Sequence, residues 1–146
     1  MKKLHLSLSA LAIGVILSAN TCSDRENGMA GENLDMIKGK WELQSLEGTP
    51  VKMPAGIEQP YLSIDSTGKN LSGYGGCNRI FGEFKVSNDS ISFPGLAATR
   101  MYCEATQKIE DGFLKALNTT RTYTLKKDEL VLMGGKELAV LRRISK

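Results

Sequence analysis

The chain has 146 residues, a length that suits one domain with a proper hydrophobic core. Its 19 Lys and Arg residues and 16 Asp and Glu residues give a formal net charge of +3. Lys2 and Lys3 lie in a leading segment, and without them the chain has 17 basic and 16 acidic residues. Such a nearly balanced charge argues against nucleic-acid binding. The one histidine, His5, lies in the same segment. Removal of that segment would exclude Ser-His-Asp and Cys-His catalysis and imidazole-bound zinc, and we expect neither a cofactor nor a metal ion.

The leading segment is typical of a secretory signal peptide. A positive start is followed by a mostly apolar stretch over 4–17 that is too short for a stable transmembrane anchor. Cys22 closes this stretch and resembles the acylated cysteine of a bacterial lipobox, although Ala19 and Thr21 depart from the common pattern. We therefore predict a signal peptide over 1–21 and lipidation of Cys22. The alternative is an ordinary signal peptide cut nearby, which would leave Cys22 as a thiol.

Residues 22–35 are polar and contain glycine, which predicts a flexible tether between the lipid and a domain over 36–146. Acyl chains on Cys22 would hold the protein on the membrane. The segment 23–26 resembles the short acidic tags that send such lipoproteins to the cell surface, except that Arg25 is basic. We expect a bacterial outer-membrane lipoprotein that faces the periplasm or the surface.

Alternating apolar and polar residues predict about eight short strands in the domain, and one segment has helical spacing instead. Ile109, Phe113 and Leu117 fall on one face of a short helix near 105–117. The predicted strands cover 38–46, 61–65, 71–74, 79–86, 91–93, 122–126, 129–133 and 137–143. The expected fold is α+β, with a curved antiparallel sheet that forms a partly closed barrel.

Two short motifs dominate the middle of the chain. The segment 73–82 has four glycines in ten residues together with Cys77, Asn78 and Arg79, and it predicts bulges and tight bends. The segment 99–103 brings a second basic residue and a second cysteine. We expect these two segments to meet in space.

These motifs resemble the META domain family, to which heat-shock lipoproteins of the HslJ type belong. The resemblance spans about residues 36–144. It rests on Trp41, the segment 72–79, Gly82, the segment 99–103, the pair Phe113 and Leu114, and the strand with Leu130 and Leu132. It implies a bacterial envelope protein with an antiparallel sheet plus a helix and a link to stress and envelope integrity. It does not imply a known reaction.

The cysteines Cys77 and Cys103 have three interpretations. An oxidising compartment favours a structural disulfide. With a sequence separation of 26 residues between the two cysteines, such a bond would stabilise the fold by roughly 3.5 kcal/mol. Two buried thiols are the second interpretation. A redox pair activated by Arg79, Arg100 and the following helix is the third. Two thiolates without histidine are a poor ligand set for a metal.

Other polar residues have a structural interpretation first. Asn78 is expected to shape the glycine-rich bend by adopting a left-handed φ and bonding its own backbone. Arg79 and Arg100 are expected to pair with nearby carboxylates, or with Asn78 to form a binding site for an anion. Adjacent carboxylates such as the pair at 110 and 111 point to different faces and are expected to be solvated. Trp41 is expected in the core.

The sequence therefore favours a non-enzymatic interaction or stress-protection module of the envelope, with a lipid anchor and a possible envelope protein partner. One alternative is a redox protein or enzyme that uses Cys77 and Cys103. The other is a carrier that binds a small ligand or a peptide strand on the open sheet.

Overall fold

The computed structural model describes residues 34–144, and these form a helical turn, one antiparallel sheet of 11 strands and one longer helix. The strands are β1 (Gly39–Leu46), β2 (Thr49–Pro50), β3 (Tyr61–Ile64), β4 (Asn70–Tyr74), β5 (Arg79–Glu83), β6 (Lys85–Ser87), β7 (Ser90–Ser92), β8 (Ala97–Ala98), β9 (Thr122–Lys126), β10 (Glu129–Met133) and β11 (Glu137–Ile144). Helix α1 is Gln107–Thr119. The strand order is β6-β7-β9-β10-β11-β1-β3-β4-β5-β8, with β2 paired to β1. The sheet curls into a half-barrel, so the predicted α+β fold is confirmed.

The last three strands match the prediction closely because short turns and clear alternation define them. β9 and β10 have the predicted bounds, and β11 runs one residue further, to Ile144. Lys127, in the turn between β9 and β10, has a φ of 50°. β11 then pairs with β1 across the middle of the sheet, where Leu43 lies opposite Leu141.

The predicted single strand over 79–86 is divided into β5 and β6. The interruption falls at Phe84, whose side chain is 3% exposed and whose N–H donates to the carbonyl of Lys69 over 3.2 Å. β5 pairs with β4 and β8 at one end of the sheet, whereas β6 pairs with β7 at the other end. The chain therefore crosses from one edge of the half-barrel to the other at this residue, and one continuous strand could not make that change.

The concave face of the sheet carries the core, and Trp41 lies at its centre, as predicted. The Trp41 side chain is fully buried, and its ring N–H donates to the carbonyl of Ile37 over 2.6 Å. Residues 34–37 form the helical turn that provides this acceptor. Leu34 packs against the core next to Gly68, so the end of the predicted tether lies within the fold.

Helix α1 covers one end of the half-barrel with Phe113, Ala116 and Leu117. It begins two residues later than predicted because 104–106 form a turn, in which the N–H groups of Thr106 and Gln107 both donate to the carbonyl of Cys103. It ends at Thr119 because the following residue, in extended conformation, directs its N–H and hydroxyl to the carbonyl of Ala116.

The predicted signal peptide, the lipidation site Cys22 and the tether up to residue 33 lie outside the described residues. Within 34–144, no helix has the length and hydrophobicity needed to cross a membrane.

Candidate functional site

The two sequence motifs meet beside the start of helix α1, and a disulfide joins them. Cys77 lies in the turn between β4 and β5, and Cys103 lies between β8 and α1. Their Cα atoms are 5.8 Å apart, and the bond between Cys77 and Cys103 is formed. The expected disulfide is thus confirmed. The bond links two loops, the turn between β4 and β5 and the segment between β8 and α1.

The glycines of the first motif allow close approach. A side chain at Gly73 would place its Cβ 2.4 Å from the carbonyl oxygen of Tyr61, and one at Gly75 would place it 2.6 Å from a carboxylate oxygen of Glu110. Gly76 has a φ of +119°, which favours glycine. The expected bulges do not occur, since the register of β4 with both neighbouring strands is continuous.

Asn78 connects the two motifs with its side-chain amide. Its Nδ2 donates to the carbonyl of Met101 at 2.9 Å and to Oε1 of Glu110 at 2.5 Å. Its Oδ1 accepts from the N–H of Met101 at 2.7 Å and from the hydroxyl of Thr99 at 2.9 Å. The expectation of a left-handed φ and of bonds to its own backbone was wrong. The two donors and two acceptor sites of the Asn78 side chain are all bonded to Thr99, Met101 and Glu110.

Glu110 is the second member of this cluster, and no role for it was predicted from the sequence. The expectation that it is solvated was wrong: its side chain is 2% exposed. Oε2 accepts from the backbone N–H groups of Cys77 at 3.1 Å and Asn78 at 2.6 Å, and Oε1 accepts from the amide of Asn78. The available signal was the helical spacing of Glu110 with the core residues Phe113 and Leu117. We call Asn78, Thr99, Glu110 and the disulfide the clamp.

Arg79 and Arg100, for which a shared anion site was one of two alternatives, line different hollows. Arg79 lines a hollow of about 590 Å³ with Tyr61 and Tyr74. Arg100 lines a different groove, between β8 and α1. Within residues 34–144, neither arginine forms the expected ion pair with a carboxylate; the pairs there are Lys38–Asp35, Lys40–Glu58 and Lys136–Glu47.

The hollow beside Arg79 has aromatic walls. Tyr61 and Tyr74 lie opposite each other on β3 and β4, with ring centroids 6.3 Å apart, and the ammonium of Lys40 lies 3.6 Å from the Tyr61 centroid. The hydroxyl of Tyr74 donates to the carbonyl of Gly76 at 2.8 Å. Burial raises the pKa of Tyr74, and the negative charges of nearby carboxylates raise it further.

The groove between β8 and α1 has a volume of about 640 Å³. Met101 and Tyr102 stand at its side with exposed fractions of 62% and 78%. Phe81, which lies opposite Ala97 of β8, is 48% exposed. Three large hydrophobic side chains of the two motif segments are thus exposed: Phe81, Met101 and Tyr102.

The arrangement offers little for chemistry on a bound molecule. The side-chain oxygens and nitrogens of the clamp are all hydrogen-bonded within the protein, to one another or to nearby backbone, and its two sulfurs are bonded. No group of three or more His, Cys, Asp or Glu residues able to hold a metal ion occurs in the part of the chain that the structure describes. What remains accessible around the clamp is large hydrophobic side chains, backbone, and the exposed charges of Arg79, Arg100 and Asp111.

Fold and site together define a small α+β domain whose half-barrel is closed at one end by a helix and fixed there by a disulfide. The family model of the META domain matches residues 32–145. The chain belongs to the META domain family.

Two similar structures have been solved, both by NMR. One is a protein from Burkholderia xenovorans with 26% sequence identity and a TM-score of 0.61, and the match covers 99% of each chain. The other has 27% identity and a TM-score of 0.59, and the match covers 76% of this chain and 92% of the other. Comparison with curated proteins gives no match.

Proposed function

We propose that this protein is a non-enzymatic interaction module of the bacterial cell envelope, held on the outer membrane by lipidated Cys22 and serving stress protection. One observation carries the proposal. The polar groups of the clamp are used inside the fold, while the large side chains of the same segments, Phe81, Met101 and Tyr102, project into solvent.

The clamp residues are poorly suited to catalysis for a physical reason. A general base needs a lone pair that can reach a substrate proton, but the Glu110 carboxylate is buried and accepts three hydrogen bonds from the protein itself. A nucleophilic cysteine needs a thiolate, but both sulfurs of Cys77 and Cys103 are in the disulfide. Asn78 has no remaining donor or acceptor for a ligand.

The exposed residues suit protein binding. Tyr, Phe and Met are enriched at the centres of protein interfaces. Tyr and Phe bury a large area with few rotatable bonds, and the flexible thioether of Met adapts to irregular surfaces. The side chain of Asn78 also bonds both backbone groups of Met101: its Oδ1 accepts from the N–H at 2.7 Å, and its Nδ2 donates to the carbonyl at 2.9 Å. The backbone of Met101 therefore loses little conformational freedom when a partner binds.

A crosslinking experiment in cells tests the interaction. A photoreactive phenylalanine analogue would replace Tyr102, and a control chain would carry it at Lys126, which is exposed on β9. We expect a discrete adduct with an envelope protein from position 102 only, and a weaker adduct when Met101 is also changed to serine. Equal adducts from both positions, or none from position 102, would contradict the proposal. Reproducible turnover in substrate panels that is lost on changing Asn78 would also contradict it.

The lipid anchor has its own test. Mass spectrometry of the mature protein should find an acylated N-terminal Cys22, and Cys22→Ser should leave the chain unprocessed or unanchored. The motivation is the position of Cys22 after the apolar stretch. An unmodified terminus at another residue would remove the anchor from the proposal.

A further inference from the structure

β8 is an edge strand whose outer side lacks a partner in the described part of the chain. It pairs only with β5, with Ala98 opposite Ile80. The N–H of Thr99 donates to the carbonyl of Arg79 over 3.1 Å, so Thr99 faces inward toward β5. Because backbone groups alternate in direction along a strand, the N–H and C=O groups of Ala98 and Arg100 face outward. None of them has a hydrogen-bond partner within residues 34–144.

This outer edge forms one wall of the groove of about 640 Å³, and helix α1 forms the other. Leu96 and Leu114 supply apolar lining. Gln107 donates its Nε2 to Asp111 at 2.9 Å, while its Oε1 is buried without a hydrogen-bond partner in the described part of the protein. A buried amide oxygen of this kind is costly unless a donor reaches it.

We propose that the groove binds an extended peptide segment of a partner protein, which adds as a strand to the outer edge of β8 and places an acidic side chain beside Arg100. The proposal rests on the proposed function, since it names the partner's form and its place of binding. At about 3.3 Å per residue, the edge from 96 to 100 accepts about three to five residues.

The chemistry of the groove selects a peptide over a small apolar ligand. Outward backbone N–H and C=O groups pair with the backbone of an added strand, which gives affinity, and neighbouring pockets read its alternate side chains. Arg100 has no ion-pair partner within residues 34–144, so an acidic side chain complements it. Met101 and Tyr102 provide apolar contacts at the rim.

The edge is also rigid before binding. Asn78 holds both backbone groups of Met101, and the disulfide fixes Cys103 just beyond. A preformed edge avoids the cost of ordering a loop when the peptide arrives.

The test compares two substitutions at one position. Ala98→Pro removes the outward N–H and keeps the inward bonds of its neighbours, and proline is tolerated on an edge strand when its nitrogen faces outward. Ala98→Ser keeps the N–H and is the matched control. A displayed library of random 12-residue peptides would be selected on the purified full chain. We expect extended sequences with an acidic residue, at least tenfold weaker binding to Ala98→Pro, and less than twofold change for Ala98→Ser.

Two further measurements guard against misfolding of the proline variant. Arg100→Glu, at an exposed side chain, should weaken the same peptides at least fivefold. Amide hydrogen exchange at Ala98 and Arg100 in the unaltered protein should slow at least tenfold when peptide is added. Unchanged exchange, or equal binding to the proline and serine variants, would overturn strand addition.

Other occupants give different outcomes. Slow exchange of these amides before any peptide is added would mean that the chain itself covers the edge. A dimer that Ala98→Pro dissociates would mean that a second copy binds there. Either result would overturn the proposal. If the crosslinked adduct of Tyr102 still forms in Ala98→Pro, strand addition is overturned but the interaction module is retained. If peptides bind but no adduct forms in cells, strand addition is retained and the interaction module is overturned.

Discussion

Replacing Glu110 with alanine removes the acceptor for two backbone N–H groups and one side-chain amide in a site that is 2% exposed. A buried donor left without its partner costs about 1–3 kcal/mol, and hydrogen bonds to charged groups are at the upper end of net contributions. The three donors lie in one site and can share an entering water, so their costs do not add fully. We expect Glu110→Ala to lower the free energy of unfolding by about 3–5 kcal/mol.

Two variants separate the charge from the hydrogen bonds. Glu110→Gln keeps one oxygen, which can still accept from the N–H groups of Cys77 and Asn78, but its new NH₂ opposes the NH₂ of Asn78. We expect a loss of about 1–3 kcal/mol. Asp111→Asn changes the neighbouring carboxylate, which is exposed and, within residues 34–144, accepts a hydrogen bond from Gln107 alone. This change should cost less than about 0.5 kcal/mol.

Urea unfolding followed by fluorescence measures these differences, because Trp41 is the one tryptophan of the chain and is fully buried. A loss of about 3 kcal/mol also lowers the melting temperature by more than roughly 10 °C in a domain of this size. If Glu110→Ala changes stability by less than about 1 kcal/mol, or no more than Asp111→Asn does, the carboxylate does not hold the motifs together and the reasoning fails.

Three further predictions concern the rest of the fold. Replacing both disulfide cysteines with serine should cost about 2–5 kcal/mol and leave the circular dichroism spectrum recognisable; unchanged stability would contradict this. Side-chain hydrogen bonds from Asn70 and then Thr67 hold the pKa of Asp65 well below its ordinary 3.8. The resulting stabilisation is therefore present above that value and is lost as the pH falls through the lower folded-state pKa. Asp65→Asn should lower the free energy of unfolding at pH 7, and the difference from the unaltered protein should shrink as the pH is lowered. A difference that stays constant with pH would refute the stabilising role of the Asp65 carboxylate. Gly75→Ala should destabilise the fold by more than about 2 kcal/mol, because the new Cβ would lie 2.6 Å from a buried carboxylate oxygen. Gly112→Ala should be near neutral, since the gain in helix propensity offsets a 3.2 Å contact with a leucine methyl. Equal losses of stability in the two variants would contradict this prediction.

Local patterns in the sequence were sufficient for the elements that local interactions define. The hairpins formed by β9, β10 and β11 follow from alternation and short turns, and their bounds were predicted almost to the residue. The helix was placed within two residues because its apolar spacing is clear. Both depend on residues fewer than about ten positions apart, where propensity and pattern carry most of the information.

The division of 79–86 and the role of Glu110 depend on distant partners. Phe84 interrupts the strand because β5 and β6 pair with strands at opposite ends of the sheet, a fact that alternation along 79–86 does not contain. Glu110 bonds groups 32 and 33 residues away. A carboxylate on the apolar face of a helix signals a buried partner, but the sequence alone does not say which donors will meet it.

The clamp also contacts the segment that forms the proposed binding edge. Asn78 does not touch a ligand in this arrangement, yet it bonds the N–H and C=O of Met101 and the hydroxyl of Thr99. Those bonds direct the inward-facing residues of 99–101 toward β5 and leave the intervening Arg100 facing out. If a partner strand adds to β8 as proposed, the polar side chains of the clamp act on binding through geometry, because they fix which backbone groups that strand can reach.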